Sequence, residues 1–147
     1  MTSRRAARRT AIDILYQADL TSTDPRLVLA EWREVGRVVS TFTIELVEGV
    51  EGHLPEIDLL LEEHTEGWSV ARMTSLDRTI LRLAIHELRH RTDVPASVAI
   101  SEAVEAATDL SSEGSPRFVN GILGKIASEM RPASAEDRDD EGADRKS

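Results

Sequence analysis

The chain has 147 residues, of which 40% are hydrophobic and 31% charged. This is the balance of a folded globular domain rather than of a disordered chain. No apolar run approaches the roughly 20 residues of a membrane-spanning helix, and the first residues lack the apolar core of a signal peptide. The absence of cysteine excludes disulfides, thiolate nucleophiles and cysteine metal sites. We therefore expect a cytoplasmic protein with no membrane association.

The charge is unevenly distributed along the chain. The net charge of −9 argues, taken as a sum, against a nucleic-acid partner. However, residues 1–10 contain four arginines and no acid, whereas residues 11–70 contain 13 acids and 3 bases. A phosphate-bearing partner would therefore meet a local basic patch on an acidic body.

Apolar spacing predicts four helices in the first half of the chain. The first helix is indicated by one apolar stripe at three- and four-residue steps, formed by Ala7, Ala11, Ile14, Leu15 and Ala18. Asp24-Pro25 predicts an N-cap followed by proline at the first helical position of a short second helix. A third stripe comprises Val39, Phe42, Leu46 and Val50. After a break from Gly52 to Pro55, a fourth helix contains Ile57, Leu60 and Leu61.

The second half begins after a connection over residues 65–73. Thr74-Ser75-Leu76-Asp77 resembles a capping box, which predicts the start of the most strongly periodic helix in the chain. Pro95 is expected to begin the next helix and Ser115-Pro116 the last. The apolar residues that the last helix is expected to bury are Val119, Ile122, Leu123, Ile126 and Met130.

These elements predict an all-α bundle of about seven helices in two packed subdomains. The domain is expected to cover residues 1–132, with subdomains of about 1–70 and 71–132. From Pro132 onward the apolar periodicity ends and acids accumulate. Residues 133–147 are therefore predicted to form a disordered acidic tail.

One segment matches a zinc-protease motif. Residues 86–90 read H-E-L-R-H, so a helix would place both histidines on one face, with Glu87 available as a general base. The extended motif requires a further glycine and histidine, where this chain has Asp93 and Ala96. We favour a solvated polar face at the end of a core helix, and we expect no metal, no cofactor and no catalytic residue.

A cluster of arginines marks the first helix. Arg4, Arg5, Arg8 and Arg9 occupy positions that form one stripe beside the apolar stripe of that helix. The helix is therefore expected to pack on the core while its guanidinium groups stay in water. Arginine suits RNA because its planar fork donates two hydrogen bonds to phosphate and also stacks on bases.

A second candidate RNA site is Arg117-Phe118, in the first turn of the last helix. A helix N-terminus presents free backbone N–H groups to phosphate, and Arg117 adds positive charge. Phe118 could stack on a base, but its spacing favours a core position.

Several segments together resemble the NusB family. They are the arginine-rich helix ending in AIDILYQ (11–17), DRTILRLAIHEL (77–88), DVP (93–95), VAISEAVE (98–105) and FVNGIL (118–123). The most specific of them is FVNGIL. The segments occur in order and span residues 4 to about 130.

The resemblance implies a bacterial transcription antitermination factor and not an enzyme. Family members pair with NusE, a ribosomal protein of the small subunit. Together they bind the boxA element of nascent ribosomal RNA transcripts in an RNA polymerase elongation complex. By this resemblance the RNA-binding residues are Arg4, Arg5, Arg8, Arg117 and Phe118, with Arg9 compensating for an arginine absent at Ala6. The face used for RNA and NusE includes Tyr16 and Asp77.

Three alternatives remain open from the sequence. The RNA-binding domain of an RNA cytosine methyltransferase is similar to NusB, but this chain has neither the methyltransferase domain nor a catalytic cysteine. The others are a zinc metalloprotease and a helical scaffold that binds only protein. A homodimer is also possible, because apolar surface on the first helix could be covered either by NusE or by a second copy.

Overall fold

The computed structural model describes residues 3–66 and 69–130, so the predicted acidic tail lies outside the described residues. Within those ranges the chain forms seven α-helices and one short 3₁₀ helix, and no strand. The α-helices are α1 (Arg4–Thr21), α2 (Pro25–Glu34), α3 (Thr41–Gly52), α4 (Leu54–Glu63), α5 (Ser75–His90), α6 (Ala96–Leu110) and α7 (Ser115–Met130). The 3₁₀ helix is Val70–Arg72. The predicted all-α bundle of about seven helices is confirmed.

Side-chain caps define the starts of four helices, since each cap satisfies a backbone N–H that has no partner inside the helix. Ser3, Asp24, Ser40 and Thr74 accept hydrogen bonds from backbone nitrogens of α1, α2, α3 and α5, respectively, over 2.9–3.2 Å. Pro25 occupies the first position of α2, as predicted.

The capping box at α5 is only half formed. Thr74 accepts from the Asp77 nitrogen at 3.2 Å. The Asp77 carboxylate does not reach back to Thr74; it accepts hydrogen bonds from Ser111 Oγ at 2.7 Å and Ser115 Oγ at 3.0 Å. Asp77 therefore ties the start of α5 to the turn between α6 and α7.

The core forms around α1 and α5. Helix α1 packs against α2, α3 and α5, and α5 also packs against α3, α4, α6 and α7. The apolar stripes predicted for α1 and α7 are buried, except that Met130 is only partly buried. No helix in the described part of the chain is long and apolar enough to cross a membrane.

A buried ion pair joins α1 to α5. The Nε and Nη2 atoms of Arg8 donate to both carboxylate oxygens of Glu87 over 2.8–3.0 Å. The Arg8 side chain is 8% exposed and that of Glu87 is 2% exposed. The expectation that all four α1 guanidinium groups stay in water is therefore wrong for Arg8.

Three histidines stack where α3, α4 and α5 meet. The ring centroids of His53 and His90 are 3.6 Å apart, and that of His86 is 5.6 Å from each. His86 is 4% exposed, and its Nδ1 atom has no hydrogen-bond partner within the described residues. The ring lies directly against Gly49 of α3, where a Cβ atom would overlap with it. The expected solvated polar face is thus wrong for His86 and Glu87.

The environment of His86 opposes its protonation. Burial, and then the neighbouring His90, His53 and Arg91, lower the pKa of His86 from its ordinary value of 6.5 to about 4. The unfolded chain therefore binds this proton more tightly than the folded chain. The stability that comes from a neutral His86 is complete above pH 6.5 and is lost as the pH falls toward 4.

Removing one partner of the buried ion pair should strongly destabilise the fold. We expect Glu87→Gln to lower the free energy of unfolding by about 3 kcal/mol, because Arg8 is left as an uncompensated buried cation. Urea unfolding at pH 7 measures the change. The exposed-pair control Glu105→Gln, whose side chain is 51% exposed, should cost less than about 1 kcal/mol. A loss of that small size in Glu87→Gln would contradict a buried, stabilising role.

Acid should destabilise the protein through His86. Between pH 7.5 and 5, we expect the wild type to lose up to about 2 kcal/mol more than His86→Phe, which keeps a planar ring beside Gly49 but cannot titrate. The comparison is urea unfolding of both proteins across that range. His64, whose pKa is raised by hydrogen bonds to Leu60 and Glu129, acts with the opposite sign but equally in both proteins. If the free energies of unfolding of the two proteins changed in parallel with pH, His86 would not be the source of the acid destabilisation.

Candidate nucleic-acid interface

Three of the four predicted α1 arginines lie at the surface. We call Arg4, Arg5 and Arg9 the arginine row. All three carry ion pairs with distant carboxylates: Arg4 with Asp93 at 2.8 Å and Arg9 with Asp109 at 2.9 Å. Arg5 contacts two glutamates of α6, which are described below. Arg8 points from the same helix into the core, so it is separated from its neighbours in the sequence cluster.

The arginine row also borders an aromatic ring. The Arg4 guanidinium lies 4.2 Å from the centroid of the Phe42 ring, and that of Arg91 lies 5.0 Å from it. Such stacking restrains the guanidinium plane while leaving N–H donors at its edge. The N-terminal end of α1 therefore presents cations held in place rather than freely mobile side chains.

Arg117 and Phe118 lie in the first turn of α7, as predicted. Arg117 is exposed and has no carboxylate within ion-pair distance among the described residues. Phe118 is half-buried and packs against the core. A shallow depression beside them is also lined by His64, Lys125 and Glu66, and Lys125 is paired with Glu66 at 3.0 Å.

The α6–α7 turn connects the two predicted sites. Asp109, the partner of Arg9, stands two residues before Ser111, whose hydroxyl donates to Asp77. The Asp77 carboxylate also accepts a hydrogen bond from Ser115 Oγ, at the start of α7, the helix that carries Arg117. Asp77 thus positions α7 relative to α5 and α6. Its carboxylate is already engaged by two hydroxyls, and the residue is 9% exposed.

A further cationic group was missed from the sequence. The Arg37 guanidinium stacks 3.9 Å from the centroid of the Trp32 ring, and the Trp32 indole donates to Gln17 of α1 at 3.3 Å. Asp13 lies within electrostatic range of both Arg37 and Arg9. Arg37 is therefore a further exposed arginine held beside α1. No local signal marks this residue, because it is distant in sequence from the N-terminal cluster.

The histidine motif cannot provide a zinc site in this arrangement. The Glu87 carboxylate is engaged by Arg8, and the His86 and His90 rings are stacked with their planes 30° apart. An imidazole binds a metal through a lone pair in the plane of its ring, so stacked rings do not direct their nitrogens to one point. Among the residues the structure describes, no group of three or more His, Asp or Glu side chains is placed to hold a metal ion.

Tyr16 lies on α1, two residues before Ala18 at the end of the apolar stripe, and is half-buried. The exposed Leu20 follows one turn later on the same helix, with 58% of its surface accessible. This end of α1 is thus less charged than the end bearing the arginine row. It offers an amphipathic surface of the kind that suits a protein partner better than phosphate.

Comparison with known proteins places the chain in a family. The model of the NusB family matches residues 5–128. A transcription antitermination protein NusB from Saccharopolyspora erythraea is 49% identical over 135 residues, covering 86% of this chain and 88% of that one. Another from Acidothermus cellulolyticus is 42% identical, covering 92% and 94%.

Solved structures agree with the sequence comparison. NusB from T. maritima superposes with a TM-score of 0.81 at 33% identity, covering 92% of this chain and 98% of the other. A crystal structure of antitermination factors NusB and NusE in complex with double-stranded RNA matches with a TM-score of 0.76 at 28% identity, covering 86% and 96%. The family is one of transcription antitermination proteins rather than enzymes. The chain belongs to the NusB family.

Proposed function

We propose that this protein is a transcription antitermination factor that binds the boxA element of nascent ribosomal RNA transcripts together with NusE. It acts in the cytoplasm as part of an RNA polymerase elongation complex. The observation that carries the proposal is the row of exposed guanidinium groups on one helix of a NusB fold. A relative of the same fold was crystallised with both NusE and double-stranded RNA, which supports the same two partners here.

The proposed RNA surface consists of the arginine row, Arg117, Phe118 and Arg37. The arginines contact phosphates, which fix the position of the RNA but carry no sequence information. Phe118 is only partly accessible to RNA, because it packs against the core. Arg8 holds α1 against α5 and does not contact RNA, since its guanidinium is enclosed with Glu87.

The proposed NusE surface includes Tyr16 and the C-terminal end of α1. Asp77 contributes indirectly, by fixing the α6–α7 turn through Ser111 and Ser115. RNA and NusE each bind weakly alone in this mechanism, and each raises the affinity for the other because both contact α1. The exposed Leu20 also suits a homodimer, in which a second copy covers the same surface and competes with NusE.

Neutralising the arginine row should weaken RNA binding without unfolding the protein. We expect Arg4→Gln/Arg5→Gln/Arg9→Gln to weaken boxA RNA binding by at least about tenfold near 100 mM salt, because three phosphate contacts are lost. The slope of log K against log[salt] should become shallower by about 2 to 3. Fluorescence anisotropy of labelled RNA, with and without NusE, measures both quantities.

The matched control is Arg26→Gln/Arg33→Gln/Arg89→Gln. It removes the same charge from exposed cations on α2 and α5, which belong neither to the arginine row nor to the surface around Arg117. The control should retain wild-type affinity within about twofold. If the two triple variants lost RNA affinity equally, the loss would come from the change in net charge and not from the arginine row. Absence of RNA binding by the wild type at low salt, even with NusE, would refute the proposed function.

Arg37 tests how far the RNA surface extends. We expect Arg37→Gln to weaken RNA binding by about threefold and to leave NusE binding unchanged, since Asp13 lies within electrostatic range of both Arg37 and Arg9. Arg33→Gln on α2 is the control, because Arg33 is also exposed and has no carboxylate partner among the described residues. If the two variants weaken binding equally, Arg37 has no special position in the interface.

A further inference from the structure

The arginine row faces a row of acids. Glu102, Glu105 and Asp109, which we call the acid row, lie on one face of α6 at steps of three and four residues. Arg5 donates from Nε and Nη2 to the two Glu102 oxygens at 3.2 and 3.0 Å, and Nη2 also contacts Glu105 at 3.2 Å. Arg9 reaches Asp109 at 2.9 Å.

The contacts between the two rows resemble arginine–phosphate contacts. Arg5 grips Glu102 with a two-pronged fork, which is the geometry by which arginine binds phosphate. A phosphate approaching Arg5 must therefore displace a carboxylate that already occupies the donor positions. Three arginines of the row face four carboxylates, those of the acid row and Asp93, so this surface is not basic despite its arginines.

The side chains of these pairs are all partly exposed to water. Arg5, Glu105 and Asp109 are 54%, 51% and 51% exposed, whereas Glu102 and Arg9 are 17% and 27% exposed. Ion pairs in water contribute little to stability because solvent screens them and two long side chains lose freedom. The more enclosed links between α1 and α5 are the Arg8–Glu87 pair and the Asp19–Arg78 pair, which is 2.7 Å long. The acid row is therefore free to serve another purpose.

We propose that the acid row is a built-in competitor of RNA: its carboxylates occupy the arginine row in the free protein and are displaced when RNA binds. This inference rests on the proposed function and adds a mechanism that lowers the RNA affinity of the same site. Because the arginines contact phosphates without reading sequence, the competition lowers the affinity for every RNA by the same factor. Binding then becomes appreciable only where additional contacts, such as those of a protein partner, add to the phosphate contacts.

The test is the variant Glu102→Gln/Glu105→Gln/Asp109→Asn, which retains side-chain shape and removes three charges. We expect about a tenfold gain in affinity for boxA RNA without NusE, and the same gain for a shuffled RNA. The salt dependence of binding should become steeper in the variant. In the wild type, the carboxylates that RNA displaces take up cations, which reduces the net release of cations on binding; the variant lacks these carboxylates. Anisotropy titrations with both RNAs across a salt series give these quantities.

The control is Glu48→Gln/Glu51→Gln/Glu63→Gln, with the same charge change on α3 and α4, away from the arginine row. It should gain less than about twofold. Urea unfolding verifies that each variant is folded, and Glu105→Gln alone, expected to gain two- to threefold, serves if the triple variant is not. A gain no larger than that of the control, or a loss, overturns the acid-row proposal while leaving RNA binding intact. If no protein binds RNA even with NusE, the proposed function fails and this inference with it.

Discussion

The buried ion pair between Arg8 and Glu87 is the constraint on which the rest of the structure depends. It crosses 79 residues of sequence and joins α1 to α5, the helix that contacts nearly every other element. Taking two charges out of water is costly, and the two-pronged contact offsets this cost only when both partners are present. The pair thus fixes the rotation of α1, and this rotation decides which arginines face the solvent.

Fixing α1 divides a cluster of four similar side chains into two roles. Arg8 becomes part of the core, whereas Arg4, Arg5 and Arg9 form a surface row paired with carboxylates. The surface pairs are exchangeable because water and salt compete with them, unlike the enclosed pair. The enclosed Arg8–Glu87 pair holds α1 in place. The exposed arginines of α1 can therefore exchange carboxylate partners for phosphates without movement of the helix. The Asp77 network extends this support to α7 and Arg117.

For the histidine motif, the sequence predicted the helical spacing correctly but predicted the wrong surroundings for the side chains. A helix does place His86 and His90 one turn apart, as the sequence predicted. Their surroundings come from elsewhere: Gly49 of α3 provides the space for the His86 ring, and His53 stacks on His90. The Glu87 carboxylate is bound by Arg8, so it is not available as the general base that a zinc-protease motif requires. The same five residues in another packing context would have different chemistry, since burial and ring orientation are set by the neighbouring helices.

The sequence by itself determined the helices, two of their four side-chain caps (Asp24 and Thr74), the apolar stripes and the family. These features depend on local spacing: a 3.6-residue period, an N-cap three residues before a backbone N–H, or a run of family-specific residues. Only the tertiary structure decided that Arg8 is buried, that acids about 100 residues away pair with Arg5 and Arg9, and that Arg37 stacks on Trp32 beside α1. The physical reason is that a charge is stabilised by whichever partner packing brings within reach, and local spacing does not encode that partner.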